Sequence, residues 1–394
     1  MAPDSAPLEQ AVADVVDPEL DLELGTTAML REVRSRRHRA TVVVALPVAA
    51  WPSRDELEAL VQAAALAAPG VDEVSVEFAV MDEHERLALR TRLREGMEGA
   101  GAGADTDADG GHDHGGHGGH GQGGHGHGTP AFLRPGSRTR VIGIGSGKGG
   151  VGKSSVTVNL AVALARAGRH VGILDADVYG FSVPKMLGAG NDPVVLGDTV
   201  IPTAAHGVRV LSMGFFVPDD QPVIWRGPML HKAIEQFIGD AYWGEPEFLL
   251  VDMPPGTGDV TLSLAQVMPR AEIVVVTTPQ PAAQRVAQRS AFAARKLKLS
   301  VRGVIENMSW FTGDDGTRYE LFGKGGGQSL ATDLGVPLLG QVPLVPALRE
   351  GGDLGTPVVV ADPYSEVARV FGALAERLSG LGPARVYRRE LTIR

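Results

Sequence analysis

The sequence predicts an α/β protein, with a large domain built on a mostly parallel sheet and a small α+β domain before it. Three observations predict this architecture. From Arg140 onward, short β-branched runs alternate with helical stretches, and strands that are apolar on both faces are typical of a parallel sheet covered by helices on both sides. A glycine-rich loop joins the first of these strands to the first helix. A stretch with almost no large apolar residues separates this region from the chain before it.

The composition limits the classes of protein that this chain can belong to. With 394 residues, of which 43% are hydrophobic, the chain can bury a core in each of two domains. A formal charge of −10 argues against a nucleic-acid partner. The acidic start and the lack of an apolar run of ~18 residues predict a cytoplasmic protein without a membrane partner. Since there is no cysteine, disulfides, thiolate zinc sites and cysteine nucleophiles are excluded.

Residues 1–95 are expected to form the small domain. An amphipathic opening segment stops at Asp17-Pro18, because proline does not continue a helix. Residues 41–46 are rich in β-branched side chains and predict a strand, and Ser53 is expected to cap the helix that follows it. The other predicted elements are a half-buried strand at residues 71–78 and a surface helix at residues 83–94.

Residues 96–137 are expected to form a flexible linker rich in glycine and histidine, since they offer little apolar surface to bury. A histidine tract of this density can hold zinc or nickel weakly. The other interpretation is a solvated spacer, because a site without fixed geometry selects no metal. The histidines concerned are His112, His114, His117, His120, His125 and His127.

Residues 138–380 are expected to form the large domain, and residues 381–394 a carboxy-terminal tail. Strands are predicted at residues 141–145, 171–175, 208–213, 248–252, 273–277, 301–306 and 338–342. Helices are predicted at residues 153–167, 229–239, 281–299 and 365–378. In a sheet of this kind, a ligand binds beyond the carboxyl ends of the strands.

The glycine-rich loop matches the pattern GxxxxGKS of a phosphate-binding P-loop, and it lies between a strand and an apolar helix as that motif requires. Its glycines let backbone N–H groups surround the β-phosphate, and the helix amino terminus adds a partial positive charge. Lys153 is expected to contact the β- and γ-phosphates, and the Ser154 hydroxyl to ligate Mg²⁺. The predicted nucleotide-binding residues are Gly147, Lys148, Gly149, Gly150, Val151, Gly152, Lys153, Ser154 and Ser155.

Two aspartate motifs follow apolar strands and are candidates for the rest of this site. Asp252 ends the run FLLVD and is expected to hold Mg²⁺ through water. Asp175 and Asp177 follow another strand, where a carboxylate can orient the attacking water or reach the Mg²⁺ shell. Either motif taken alone can also be a helix cap or a turn cap.

Lys148 is a second lysine in the loop, which an ordinary P-loop does not require. A lysine at this position can reach a phosphate bound by a facing subunit and stabilise the transition state there. The alternative is a surface charge beside an anion.

Several motifs together resemble the Mrp family of iron-sulfur carrier ATPases, within the larger MinD/ParA/NifH group, over about residues 138–380. These motifs are GKGGVGKSS, DADVYGFSVP, DMPPGTGDV, VIENMS, WRGPML, TTPQ and the triple glycine at residues 325–327. The resemblance implies that the chain binds MgATP at a homodimer interface and hydrolyses it. It also implies that Lys148 crosses that interface, that Asp177 is the switch-I aspartate and that Asn307 contacts adenine.

The small domain resembles the iron-sulfur-assembly domain that is often fused to Mrp proteins, with DPEL at residues 17–20 as its best match. The resemblance implies a role in iron-sulfur cluster assembly or transfer, with assembly or recipient proteins as partners. Many family members carry a CxxC after ENMS, and two such pairs can hold one bridging cluster. Here WFTGDDGTRYELFGKGGG follows, and Trp51-Pro52 stands where the small domain usually has cysteine before proline. An iron-sulfur cluster is therefore implied by the family alone.

Two other functions stay open. One is a nucleotide-gated adaptor or positioning protein of the MinD/ParA type, which performs no cluster chemistry; the last residues are too short for a MinD-like membrane helix. The other is metal delivery through the histidine linker, which resembles nickel-insertion GTPases, although the guanine-reading motif of those enzymes is not found here.

Overall fold

The structure, a computed structural model, describes residues 6–36, 38–98, 130–134, 137–178, 180–216, 227–256 and 258–382. The six linker histidines, Trp225 of the WRGPML motif and the tail from residue 383 lie outside the described residues.

The small domain contains four helices and five strands within the described residues. These are α1 (Ala6–Ala13), β1 (Val16–Asp17), β2 (Leu22–Glu23), α2 (Leu24–Thr27), β3 (Leu30–Arg36), β4 (Arg39–Leu46), α3 (Arg54–Ala67), β5 (Glu73–Val80) and α4 (Glu83–Glu98). Strand β4 lies in the centre of a three-stranded sheet, antiparallel to β3 and parallel to β5. Its side chains Val42 and Val44 pack with Leu57 and Val61 of α3 to form the core.

Several details of the small domain differ from the prediction. Helix α1 ends at Ala13, before Asp17-Pro18, because the chain enters β1 at Val16, and the short elements β1, β2 and α2 were not predicted. Strand β3 was not predicted, because its exposed positions carry the charges typical of an edge strand. Helix α4 continues to Glu98, since Leu89 and Leu93 bury one face of it and Gly96 does not end it. Ser53 lies at the N-cap position of α3 but caps no helix amide, and its hydroxyl donates instead to Glu19.

The large domain begins with a short 3₁₀ turn (Ala131–Leu133), followed by β6 (Arg140–Ser146), α5 (Lys153–Arg166), β7 (Val171–Asp175) and α6 (Val183–Leu187). Four short strands follow before a second 3₁₀ turn (Met213–Phe216): β8 (Val194–Leu196), β9 (Thr199–Ile201), β10 (Thr203–Ala205) and β11 (Val208–Ser212). The next elements are α7 (Gly227–Gly239), β12 (Phe248–Asp252), α8 (Asp259–Val267), β13 (Glu272–Thr277) and α9 (Pro281–Lys296).

The last part of the large domain contains four strands and four helices. These are β14 (Ser300–Glu306), β15 (Phe311–Thr312), β16 (Arg318–Tyr319), α10 (Gly326–Leu334), β17 (Leu338–Gln341), α11 (Pro346–Leu354), α12 (Val358–Ala361) and α13 (Glu366–Gly380). The seven predicted strands and four predicted helices are all present, with ends shifted by up to three residues. The short strands β8, β9, β10, β15 and β16 and the helices α6, α8, α10, α11 and α12 were not predicted.

The central sheet has the strand order β10-β11-β7-β12-β6-β13-β14-β17. Its strands are parallel except for the edge strand β10, which confirms the predicted mostly parallel sheet. Helices α5 and α13 pack on one face, and α7, α8, α9 and α10 pack on the other. Because β7, β12 and β6 are neighbours, Asp175, Asp252 and the P-loop meet at the same carboxyl edge.

No helix in the part of the chain that the structure describes has both the length and the hydropathy that a membrane span requires.

Candidate nucleotide-binding site

The P-loop occupies the turn between β6 and α5, and its glycines are required by its geometry. Gly150 and Gly152 have φ angles of +78° and +76°, a region that favours glycine. A Cβ atom on Gly147 would lie 2.2 Å from the backbone nitrogen of Ala287, because the start of the loop packs directly on α9. The sequence predicted this loop from its glycine spacing, and the structure brings it against the amino terminus of α5.

Asp252 is the centre of a buried polar cluster behind the P-loop. Its Oδ2 atom lies 2.6 Å from Lys153 Nζ and 2.6 Å from Ser154 Oγ, and both groups donate to it. Its Oδ1 atom accepts a 2.7 Å hydrogen bond from Thr157 Oγ1. The carboxylate is fully buried, so these donors compensate for the loss of water around its charge. The predicted residues Lys153, Ser154 and Asp252 thus meet at one point.

Thr157 is a part of this cluster that the sequence reasoning missed. It lies one helical turn after Lys153, so its hydroxyl lies on the same face of α5 and reaches the second oxygen of Asp252. The available signal was a hydroxyl residue four positions after the P-loop lysine in an otherwise apolar helix.

Asp175 and Asp177 have different surroundings. Asp175 is fully buried, and its Oδ2 atom accepts hydrogen bonds from Ser212 Oγ at 3.0 Å and from the backbone N–H groups of Ser182 and Val183 at 3.2 and 3.3 Å. Burial, followed by the nearby charge of Asp252, raises the pKa of Asp175 to about 7. Asp177 Oδ2 lies 3.8 Å from Lys153 Nζ, and Asp177 lines the cavity in front of the P-loop. Asp175 therefore holds the start of α6, while Asp177 faces the space for a ligand.

Two adjoining cavities lie beside the loop. The first, about 240 Å³, is lined by the P-loop from Lys148 to Ser155, with Asp177 and Pro255. The second, about 190 Å³, shares Gly152, Ser155 and Met186 with the first and is lined further by Asn307 and the apolar residues Leu344, Val345 and Leu348. A cavity lined by the P-loop that continues into a more apolar one suits a phosphate chain joined to a flat base.

Asn307 lies between the P-loop and the second cavity. Its side-chain nitrogen donates to the carbonyl oxygen of Val151 at 2.8 Å. Its Oδ1 atom is buried and has no hydrogen-bond partner among the described residues. A buried acceptor of this kind can receive a hydrogen bond from a ligand amine.

Lys148 is held differently from Lys153. Its carbonyl oxygen accepts a 3.1 Å hydrogen bond from Ser146 Oγ, and its Nζ atom donates to Gln280 Oε1 at 3.2 Å, at the start of α9. The lysine thus lies at the rim of the first cavity, while Lys153 lies at its base.

The oxygen atoms at the base of the cavity fit Mg²⁺. Hydroxyl and carboxylate oxygens are the ligands that this ion prefers, and it keeps several waters and phosphate oxygens, so few protein ligands are required. Ser154 and Asp252 offer one hydroxyl and one carboxylate at adjacent positions. In the described part of the chain, no group of three or more His, Cys, Asp and Glu residues forms a metal site of another kind.

The small domain also contains two buried carboxylates, Asp17 and Glu19 of the DPEL motif. Trp51 Nε1 donates to Asp17 Oδ2 at 3.0 Å, and the backbone N–H groups of Glu19 and Leu20 donate to Oδ1. Burial raises the pKa of Asp17 and that of Glu19. Trp51 is 3% exposed, so the indole covers Asp17.

The loop after ENMS forms the hairpin β15–β16. The Asp315 carboxylate accepts hydrogen bonds from the backbone N–H and the hydroxyl of Thr317, at 2.9 and 2.8 Å, which also lowers the pKa of Asp315. This turn is closed by its own side chains. The chain has no thiol here or elsewhere to ligate a cluster.

The parallel sheet, the P-loop and the Asp252 cluster define a P-loop nucleotide-binding protein. Residues 137–379 match the family model described as NUBPL iron-transfer P-loop NTPase, and residues 6–78 match the model described as iron-sulfur cluster assembly protein. The chain belongs to this family of iron-transfer P-loop NTPases, which confirms the resemblance predicted from its motifs.

Similar proteins cover nearly the whole chain. The iron-sulfur cluster carrier protein of Mycobacterium bovis is 40% identical over 382 residues, which are 95% of this chain and 93% of that protein. The iron-sulfur cluster carrier protein of Deinococcus radiodurans is also 40% identical, over 95% of this chain and 94% of its own length. Both comparisons include the small domain and the large domain.

A nucleotide-binding protein from Archaeoglobus fulgidus, solved in complex with ADP, matches the large domain. It is 34% identical with a TM-score of 0.50, and the match covers 59% of this chain and 91% of that protein. The cell division ATPase MinD of Pyrococcus furiosus is 28% identical with a TM-score of 0.48, over 61% of this chain and 99% of MinD.

Proposed function

We propose that this chain binds MgATP at the P-loop, hydrolyses it as a homodimer in the cytoplasm, and uses that cycle in the assembly or transfer of iron-sulfur clusters. The observation that carries the nucleotide part is the Asp252 cluster, in which Lys153 and Ser154 lie within 2.6 Å of one carboxylate oxygen. This arrangement places a cation and a hydroxyl at the base of a cavity of phosphate size.

Each residue of the site has a role in this proposal. Lys153 binds the β- and γ-phosphate oxygens, and the backbone N–H groups of the loop surround the β-phosphate. Asp177, which faces the cavity, orients the water that attacks the γ-phosphorus in line with the leaving oxygen. Asn307 uses its unpartnered Oδ1 to accept a hydrogen bond from the adenine amine. Ser154 and Asp252 would hold Mg²⁺, which would supply positive charge to the phosphates when bound.

We assign Lys148 a role at the nucleotide that is bound by the facing subunit. It lies at the rim of the cavity and not at its base, where Lys153 already supplies the positive charge. A rim lysine on each protomer can stabilise the transition-state charge in the other protomer, which makes hydrolysis depend on dimerisation.

The cluster is the cargo of the proposed cycle and is not a resident cofactor. The names of the relatives, iron-sulfur cluster carrier protein, and the match of the small domain support this part. Biological clusters need thiolate ligands, and the chain has no cysteine. We therefore propose that the ATPase acts together with an assembly or recipient protein that supplies the thiolates.

The missing thiols also favour a second candidate, a nucleotide-gated adaptor whose partner surface changes with the bound nucleotide and which takes no part in cluster transfer. The two candidates differ in one respect that can be measured: only the first predicts ATP-dependent transfer of a cluster to or from a cysteine-bearing partner.

Anaerobic reconstitution with iron and sulfide tests the cluster part of the proposal. Without a partner protein, we expect no stable cluster absorbance, even for the dimer with ATP, because no thiolate is available. A brown species with about four irons per dimer that survives desalting without added thiols would contradict this. When a cysteine-rich scaffold protein is then added, the rate at which a cluster forms on that scaffold should depend on ATP. A rate that does not depend on ATP favours the adaptor.

A further inference from the structure

The β8–β9 hairpin belongs to the large domain in sequence, yet it packs into the core of the small domain. Its buried side chains Val194, Leu196 and Ile201, together with Tyr242, form one hydrophobic cluster with the small-domain core. Apolar side chains that are shared between two cores tie the position of one domain to the other.

The tip of the hairpin is held by helix α4. Asp198 lies 2.6 Å from the Arg94 guanidinium and 3.7 Å from that of Arg90. Gly197 has a φ of +65°, and a Cβ atom there would lie 2.4 Å from Arg90 Nη1, so the turn fits closely under this arginine. These ion pairs are about one-third exposed and therefore orient the contact more than they stabilise it.

On its amino-terminal side, the hairpin is connected to the aspartate pair of the nucleotide site. Only residues 188–193 separate β8 from helix α6. The first turn of α6 is held by Asp175, which accepts from the backbone N–H groups of Ser182 and Val183. Asp175, two residues before Asp177, thus connects the nucleotide site to α6 and, through it, to the base of the hairpin.

On its carboxy-terminal side, the hairpin contacts the end of helix α7. The N–H of Val200 donates to the carbonyl of Asp240 at 2.9 Å, and the N–H of Tyr242 donates to the carbonyl of Val200 at 2.7 Å. The first residue of α7, Gly227, lies against Asp259 at the start of α8, and α8 follows directly after the Asp252–Gly258 segment. The hairpin is therefore connected indirectly, through α6 on one side and through α7 and α8 on the other, to segments that line the phosphate cavity.

We propose that the β8–β9 hairpin couples the small domain to the nucleotide cycle, so that the docked small domain restrains α6 and α7 and slows ATP turnover. This inference rests on the proposed ATPase function. Packed interfaces have discrete arrangements and do not deform continuously, so movement of α6 and α7 requires the hairpin to shift against the small domain. A restraint on α6 and α7 that opposes ATP binding has a reciprocal effect, so bound ATP should also weaken the docking.

A cross-link across the contact tests this coupling in the full-length chain. Since the native chain has no cysteine, Arg94→Cys with Asp198→Cys creates one thiol pair, which a short bis-maleimide can join. The matched control is Arg31→Cys with Glu85→Cys, an ion pair of 2.6 Å that lies wholly within the small domain. ATP hydrolysis is measured for each variant before and after linking, and the rate of linking is measured with and without ATP.

We expect linking of the first pair to slow hydrolysis at least about fivefold, and linking of the control pair to leave it unchanged. ATP should slow the linking of the first pair only. In a second arm, Asp198→Lys repels Arg90 and Arg94 and should raise hydrolysis at least about fivefold. Equal rates before and after linking, or slower hydrolysis by Asp198→Lys, would overturn the coupling while the ATPase function stands. If the unmodified protein does not hydrolyse ATP, the proposed function fails, and a linking rate that ATP leaves unchanged then overturns the coupling as well.

Discussion

Two buried carboxylates lie in the two domains of this chain, and their partners differ in kind. Asp252 accepts from an ammonium group and two hydroxyls, of which Lys153 and Ser154 line an open cavity. Asp17 accepts from two amides of its own turn and from an indole that covers it. Lys153 and Ser154 can be shared with a phosphate and a metal, whereas the donors of Asp17 have no ligand-accessible side. The Asp252 site can therefore exchange its donors with a ligand, whereas the Asp17 site is covered by Trp51.

The largest effect should come from removing the cation of the open site. We expect Lys153→Ala to reduce ATP hydrolysis at least about 100-fold, because the developing phosphate charge loses its nearest fixed cation. Steady-state phosphate release measures this, and binding of a fluorescent ATP analogue separates lost affinity from lost turnover. Turnover equal to that of the unmodified protein would remove the P-loop from the mechanism.

Lys148→Ala should have a smaller and different effect, because Lys148 lies at the rim of the cavity whereas Lys153 lies at its base. We expect nucleotide binding to be retained, with hydrolysis and ATP-dependent dimerisation reduced at least about tenfold, since the lysine is assigned to the facing subunit. Light scattering with a slowly hydrolysed analogue measures the dimer. The matched control is Lys296→Ala, at an exposed position in the last turn of α9. Full activity and an unchanged dimer content in Lys148→Ala would end the trans-lysine hypothesis.

The two sites also differ in how far they could be predicted. The P-loop and Asp252 were found because local spacing and strand-end position determine where phosphate and metal ligands lie. Thr157 was missed, because a hydroxyl inside an apolar helix gives no signal until the neighbouring strand is placed beside it. The docking of the β8–β9 hairpin was missed for a similar reason: three-residue strands carry almost no periodicity, and their partner lies about a hundred residues earlier in the chain.

The raised pKa of Asp175 predicts that the stability of the large domain depends on pH. Its pKa is raised from 3.8 to about 7 in the folded protein by burial and by the charge of Asp252. The folded state therefore holds a proton that the unfolded state releases, so stability falls as pH rises from about 4 to about 7 and is then constant. The slope contributed by this group is at most about 1.4 kcal/mol per pH unit. Asp175→Asn should flatten the dependence of the unfolding temperature on pH across that window, and parallel curves for the two proteins would contradict the assignment.

A change in the closed site separates the two domains directly. Trp51→Phe removes the indole N–H from buried Asp17 and should cost the small domain about 1–3 kcal/mol, the usual penalty for a buried group left with one donor fewer. Burial raises the pKa of Asp17, and loss of a donor to its charged form raises that pKa further, so the loss should grow as pH rises through the titration of this group.

The matched control for that change is Trp243→Phe in the large domain, where the indole donates to the neutral carbonyl of Phe237 at 3.0 Å. We expect this control to cost only about 0.5–1.5 kcal/mol, without the same pH dependence, because its acceptor carries no charge. Amide hydrogen exchange in α3 and β4, compared with exchange in α7, measures the two losses separately. A loss for Trp51→Phe that is no larger than the control at any pH would show that the indole fills space above Asp17 without stabilising its charge, and the small-domain site would then be closed by packing alone.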